Sequence, residues 1–296
     1  MDFMTMDNIF ISQKTLNLKG KIIHLSSPLV MGIINLSSDS FYDGGRLSGT
    51  HQVLNHAENL LKQGAQILDI GAVSTRPGAN LVGADYEIPK LKPVLEGLVR
   101  NFPEAILSVD TYNSQTVLMS ANEGAHIIND VSGGQIDPNM FATAARLHLP
   151  YVLTHMKGMP STMQNNPEYE DVVREVSAFF AEKIQQLNQV GVNDIILDPG
   201  FGFGKTLEQN YQLLANLDYF KIFELPILVG LSRKSMINRL LDISPDKALN
   251  GTTALNTIAL MQGASILRVH DVREAQEVVK ITQMLKNSEH YIKPIS

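Results

Sequence analysis

Residues 194–206 read "DIILDPGFGFGKT". An apolar run ends in a carboxylate, Asp198, and glycines at 200, 202 and 204 lead into Lys205-Thr206. The Gly-Lys-Thr tail invites comparison with the nucleotide phosphate loop, G-x-x-x-x-G-K-[ST], whose backbone N–H groups wrap phosphates. That pattern puts its first glycine at 199, where Pro199 stands, and Gly200 is one residue too close. The dinucleotide fingerprint G-x-G-x-x-G fails as well, because the spacing here is G-x-G-x-G. What remains is a buried strand that delivers a carboxylate to a glycine-rich loop.

The same unit recurs along the chain. Short apolar runs occupy 29–35 (LVMGIIN), 65–71 (AQILDIG), 105–110 (AILSVD), 126–130 (HIIND), 151–156 (YVLTHM), 194–200 (DIILDPG), 226–232 (PILVGLS) and 265–270 (SILRVH). Runs this apolar suit strands of a parallel sheet buried on both faces. Segments with helical apolar spacing follow them, such as "TVLMSANEGA" and "DVVREVSAFFAEKIQQLNQVG", both stopped by glycine. Eight such units predict an α/β fold, a (β/α)₈ TIM barrel over residues 29–296 as a single domain. A doubly wound open sheet is the competing arrangement. Residues 1–28 read as an accessory piece, in which "TLNLKGKIIHL" forms a short β-hairpin turning at Lys19-Gly20.

Composition narrows the function. The 296 residues are 44% hydrophobic and 18% charged, enough apolar content for a sizeable core. The absence of cysteine excludes disulfides, thiolate nucleophiles and cysteine-based zinc sites, and fits a cytoplasmic location. A net charge of −6 argues against general nucleic-acid binding, which uses a basic surface. No apolar run approaches the roughly 18 residues of a membrane span, and the opening "MDFMTMDN" has no signal-peptide pattern. His51 and His56 are five apart, and no H-E-x-x-H occurs.

Several runs end in polar residues: Asn35, Asp69, Asp110, Asn129, Asp198 and His270. A single such residue reads most simply as a helix N-cap or turn former. In a barrel, however, these ends converge on one face, where sites of this fold are built. Arg268 and His270, two apart on one strand, share a face.

The strand ends and their loops together resemble the dihydropteroate synthase family of pterin-binding barrels. The matching stretches are "MGIINLSSDSFYDGG" (31–45), "STRPGA" (74–79), "SVDT" (108–111), "HIIND" (126–130), "LDPGFGFGK" (197–205), "GLSRKS" (230–235) and "RVHD" (268–271). They occur in the family's order and extend from about residue 29 to the last helix, one per strand in most cases. The resemblance implies a transferase that joins p-aminobenzoate to a (7,8-dihydropterin-6-yl)methyl diphosphate. Pyrophosphate leaves and 7,8-dihydropteroate forms, a step of folate biosynthesis and the target of sulfonamides.

The resemblance also distributes roles. Asp198 would hold the pterin, since a carboxylate accepts from two adjacent ring donors. Asp110, Asn129 and Lys234 match further pterin contacts. Arg76, Arg268 and His270 match the anion-binding set, where the planar fork of arginine suits phosphate. Asn35 matches the residue that helps hold Mg²⁺, the implied cofactor. Ser235 matches the contact to the aminobenzoate carboxylate, and Thr75, Pro77 and Phe203 match residues lining its ring. Phe203 also reads as a core residue, and a strand-end salt bridge to Asp271 is the plain reading of Arg268 and His270. Catalytic work falls to Asp110, Lys234, Arg268 and His270, with pyrophosphate leaving before the arylamine attacks and no strong general base required. His155 reads as a structural hydrogen-bonding residue, and Arg233 receives no role.

The chain departs from the family in two places. Ser37-Ser38 stand where Thr-Pro is usual, and Ala72-Val73 where Gly-Glu is usual. Both lie in the long loops "SSDSFYDGG" and "AVSTRPGANLVGAD", expected to be mobile, so sulfonamide sensitivity stays open. A methyltetrahydrofolate:corrinoid methyltransferase on the same barrel is an alternative, although it has no use for a diphosphate clamp. A non-catalytic pterin binder is another, although such a protein is expected to lose some of the residues named above. A homodimer is implied, with "ALNGTTALNTIALMQGA" as core or interface.

Overall fold

The computed structural model describes residues 14–18, 20–36, 46–73, 80–163 and 167–289. A hairpin of β1 (Thr15–Leu18) and β2 (Lys21–His24) precedes the barrel. The barrel strands are β3 (Leu29–Asn35), β4 (Ile67–Gly71), β5 (Ile106–Asp110), β6 (Ile127–Asp130), β7 (Tyr151–Thr154), β8 (Ile195–Asp198), β9 (Leu228–Val229) and β10 (Ile266–Val269). The helices between and after them are α1 (Arg46–Lys62), α2 (Ala84–Asn101), α3 (Ser114–Asn122), α4 (Met140–Leu147), α5 (Val172–Gln189), α6 (Leu207–Ala215), α7 (Ser235–Leu241), α8 (Leu249–Met261) and α9 (Val272–Glu289).

All neighbouring barrel strands pair in parallel, from β8 through β3 to β10 and β9. The ring closes between β8 and β9 through a bridge from Leu197 to Ile227, with Leu197 N donating to Pro226 O at 2.8 Å. The open doubly wound alternative is therefore excluded. Helix ends follow local chemistry. Asp171 caps α5 by accepting from Val173 N and Arg174 N, and Thr206 with Gln209 forms a reciprocal capping box on α6.

Alternation along each strand separates two cores. Residues such as Leu68, Val109, Leu197 and Leu267 face the helices and join the main apolar cluster. Met31, Ile67, Ile127, Val152, Ile196, Leu228 and Ile266 form a second cluster inside the barrel. Leu16 and Leu18 of the hairpin complete it, each almost fully buried. The hairpin thus plugs the N-terminal end, and burying each leucine stabilises by about 1.5–3 kcal/mol.

Two residues further along the strands, the inner positions turn polar. Ile67 is followed by Asp69, Ile106 by Ser108, Ile127 by Asn129, Val152 by Thr154, Ile196 by Asp198 and Ile266 by Arg268. The interior is therefore apolar at its base and polar toward the C-terminal mouth.

Candidate active site

Asp69 lies at the centre of the polar layer and is fully buried. Ser108 Oγ donates to its Oδ1 at 2.6 Å. Its Oδ2 accepts from Asn129 Nδ2 at 3.0 Å and from Arg268 Nε at 2.6 Å. Arg268 continues the chain outward, with Nη2 donating to Asp110 Oδ2 at 2.6 Å. Gly71 makes room for Asp110, since a Cβ there would stand 3.3 Å from Asp110 Cβ.

The electrostatics follow from burial. Desolvation pushes Asp110 up to about 7, because Arg268 pulls it down less than burial, Asp69, Glu87 and Asp130 together raise it. Burial alone would lower Arg268, and the charges of Asp69 and Asp110 more than reverse that, so its positive charge is permanent. Asp110 Oδ1 is buried without a hydrogen-bond partner. An orphaned acceptor of this kind is costly unless a ligand donor meets it.

Across the mouth, Asp198 accepts from Gly200 N at 2.8 Å through Oδ1. Burial raises its pKa, with Lys234 the largest opposing influence. Lys234 is itself pushed down to about 8, chiefly by burial and further by Arg268, while Asp198 and Asp110 pull it back up. Its ammonium donates to Phe201 O and sits 4.5 Å from the centroid of Phe203. Phe203 is only partly buried and belongs to neither apolar core, so the core reading of this residue does not hold. Phe201, two residues earlier, is the core phenylalanine.

The glycine loop is built differently from a phosphate cradle. Lys205 is buried and turns back on its own loop, donating to Gly200 O at 2.9 Å and Phe203 O at 3.2 Å. It also shares a 2.9 Å hydrogen bond with His155 Nδ1, which gives His155 the structural role expected of it. Burial, then the charges of Lys205 and Lys157, hold His155 well below its ordinary value. Gly200 has φ +70°, and a Cβ there would lie 1.9 Å from His155 O. The glycines therefore let the loop pass close to the backbone beyond β7.

The remaining sequence-based site residues fall as follows. Asn35 ends β3, and Ser235 is the first, exposed residue of α7. His270 is exposed just beyond β10, its Nδ1 3.0 Å from Ser232 Oγ. Asp271, the partner in the plain reading of Arg268 and His270, is taken by another residue. Arg233 holds Asp271 in a two-point contact, through Nε at 3.1 Å and Nη2 at 2.5 Å. Arg268, facing the barrel interior, pairs with Asp69 and Asp110 instead. Thr75, Arg76 and Pro77, Ser37-Ser38 and most of the two long loops lie outside the described residues. Ala72 and Val73 are described and buried, and Val73 packs with Tyr112 and Val131. That apolar setting accommodates the valine where a carboxylate was expected.

Sequence reasoning assigned nothing to Asp69, Ser108 or Lys205. The signal for the first two was present: each stands two residues after an apolar inner position on its strand. Among the described residues no group of three or more His, Asp or Glu side chains is arranged to hold a metal ion. No described helix is long and apolar enough to cross a membrane.

A closed (β/α)₈ barrel gathers carboxylates, an amide and two cations at its C-terminal mouth, the face where enzyme sites of this fold are built. The family described as "Pterin binding enzyme" matches residues 31–270, and the chain belongs to it. Dihydropteroate synthase of Escherichia coli K12 is 45% identical over 278 residues, spanning 92% of this chain and 98% of that one. The Yersinia pestis dihydropteroate synthase, solved with a sulfonamide drug, superposes with a TM-score of 0.86 at 44% identity, covering 93% of this chain and 99% of its own. The Xanthomonas albilineans dihydropteroate synthase, solved with 4-aminobenzoic acid, gives a TM-score of 0.85 at 38% identity, covering 93% and 98%. Within the pterin-binding enzymes, the chain is therefore of the dihydropteroate synthase kind, a transferase.

Proposed function

We propose that this barrel condenses (7,8-dihydropterin-6-yl)methyl diphosphate with p-aminobenzoate, with the following division of labour. Asp198 accepts from the paired donors on the pterin edge. Asp110 Oδ1, the buried acceptor left without a partner, takes a further ring donor, and Asn129 adds a third contact. Lys234 meets the oxygen and nitrogen edge of the ring. Arg268 and His270, together with Arg76, receive the diphosphate. Phe203, Thr75 and Pro77 flank the aminobenzoate ring, and Ser235 meets its carboxylate.

The C–O bond to the diphosphate breaks first and its electron pair leaves with pyrophosphate. The methylene is left electron-poor, and the buried carboxylates Asp110 and Asp198 favour that charge. The arylamine nitrogen then forms the C–N bond and gives its surplus proton to solvent. Permanent charge on Arg268 serves the departing anion throughout.

The donor set at the mouth fits Mg²⁺ held mainly by substrate. Asn35 offers one amide oxygen at the end of β3, and the described residues supply no protein cage. Asn35 would hold the ion, which when bound neutralises charge on the diphosphate oxygens.

The observation that carries this reading is the unpartnered Asp110 oxygen beside Arg268, facing Asp198 and Lys234 across one mouth. The test is product formation by the purified chain with Mg²⁺ and both substrates, following dihydropteroate and pyrophosphate together. Equal amounts of both are expected, and Asp198→Asn and Arg268→Ala should lose them. Failure to form product, or full activity in both variants, would overturn the reading.

A cytoplasmic homodimer completes the proposal. Cysteine-free composition supports the compartment. Ile281, Met284 and Leu285 of α9 are exposed at helical spacing beside exposed Ile258 and Met261 of α8, which supports pairing through those helices.

A further inference from the structure

We propose that Asp69 is the positioning residue of the pterin site: buried beneath the substrate and touching none of it, it sets which atom of Asn129 and which edge of Arg268 face the mouth. The inference rests on the functional reading above and deepens it.

The geometry is specific. Asp69 takes three donors on two oxygens, from Ser108, Asn129 and Arg268, which reach it from three different strands. An asparagine amide is ambiguous by shape, because its oxygen and nitrogen ends are nearly the same size. A carboxylate below it removes the ambiguity. The Nδ2 end is drawn to Asp69 Oδ2, which leaves Oδ1 as the end free to meet a ligand. Asn129 is thereby an acceptor, suited to a ring N–H. The reversed amide would set donor against donor.

Arg268 is ordered in the same way. Nε is held by Asp69 and Nη2 by Asp110, so the guanidinium plane is fixed by two carboxylates before any substrate arrives. Preorganised donors of this kind cost no reordering when charge develops. The aminobenzoate contacts Phe203 and Ser235 have no hydrogen bond to this network.

The discriminating variant is Asp69→Asn, equal in shape but able to turn either amide end toward its neighbours. Its expected effect is a KM for the pterin diphosphate raised about tenfold or more, the factor carried by one charge-assisted hydrogen bond. The KM for p-aminobenzoate should stay within about twofold, as its contacts lie outside the network. Ser108→Ala, which removes one donor and leaves the ion pair, should raise the pterin KM about threefold with the same selectivity. Tyr151→Phe is the control for structural loss. It removes a hydrogen bond to buried Asp130 on the helix side of the sheet, and should lower Tm with both KM values unchanged.

A folded Asp69→Asn enzyme with both KM values unchanged would overturn the inference, and so would an equal rise in both. If Asp69→Asn does not fold, an unchanged pterin KM in Ser108→Ala overturns it. A wild type that binds the pterin diphosphate without turning it over would refute the functional reading alone, and the same comparisons would then be made on Kd.

Discussion

Replacing Lys205 by Met asks whether the Gly-Lys-Thr sequence serves phosphate or serves its own loop. Methionine matches lysine in length and carries no donor. Phe203 O and His155 Nδ1 would lose their partner, whereas Gly200 O keeps the Phe203 N–H at 3.1 Å. Each orphaned buried group costs about 1–3 kcal/mol, and relief from burying an amine offsets part of that. A net loss of roughly 2–4 kcal/mol follows, or about 3–6 °C in Tm for a chain of this size. Calorimetry on wild type and Lys205→Met measures it, with pyrophosphate affinity measured by titration alongside. The structure requires lower stability and retained pyrophosphate affinity. Unchanged Tm with weakened pyrophosphate binding would refute the argument, since a phosphate-cradle lysine behaves that way. Acid provides a second readout. His155 is held well below its ordinary 6.5, so its stabilising contribution is present above that pH and lost as pH falls below it. Removing the Lys205 charge should soften that acid loss.

Two further outcomes can be checked by urea unfolding. Gly200→Ala should cost well over 2 kcal/mol, because its Cβ would lie 1.9 Å from a backbone oxygen at φ +70°. Gly202→Ala, which meets only the Lys234 side chain at 3.4 Å, should cost about 1 kcal/mol from its φ of +82°, and equal costs for the two would contradict the loop geometry. Asp110 supplies a pH signature of the opposite sign. Its folded value of about 7 stands above the ordinary 3.8, so its contribution is full below 3.8 and is lost as pH rises through 7. The stability of wild type relative to Asp110→Asn should therefore fall between those limits, with a slope approaching about 1.4 kcal/mol per pH unit. A flat difference would show that Arg268 neutralises Asp110 fully.

The strands were legible because a parallel sheet covered on both faces leaves unbroken apolar runs. The run at 29–35 coincides with β3, whereas 226–232 shrinks to Leu228–Val229. Gly230 follows that short strand, and Arg233 at φ +56° takes the chain away from extended backbone. Site residues at strand ends were legible because barrel geometry gathers them on one face. Their partners were not, because Asp69 acts through contacts 39 to 199 residues away in sequence, and Lys205 ties its own loop to His155, 50 residues away. Local reading sees only a strand carboxylate and a loop lysine.

One rule would have recovered part of the missing network. Starting from the inner apolar layer, each strand can be counted two residues toward the mouth. In "HIIND" that count leads from Ile127 to Asn129 and passes over Asp130. The structure bears out the distinction: Asn129 bonds inward to Asp69, whereas Asp130 accepts from Tyr151 and Ser132 on the other side of the sheet. Two adjacent buried polar residues thus belong to different machines, one to the ligand site and one to the packing of helices against the barrel. Residue type alone would favour the carboxylate as the functional member of that pair. The strand period reverses the choice, and the count on β4 singles out Asp69 in the same way, before any contact is known.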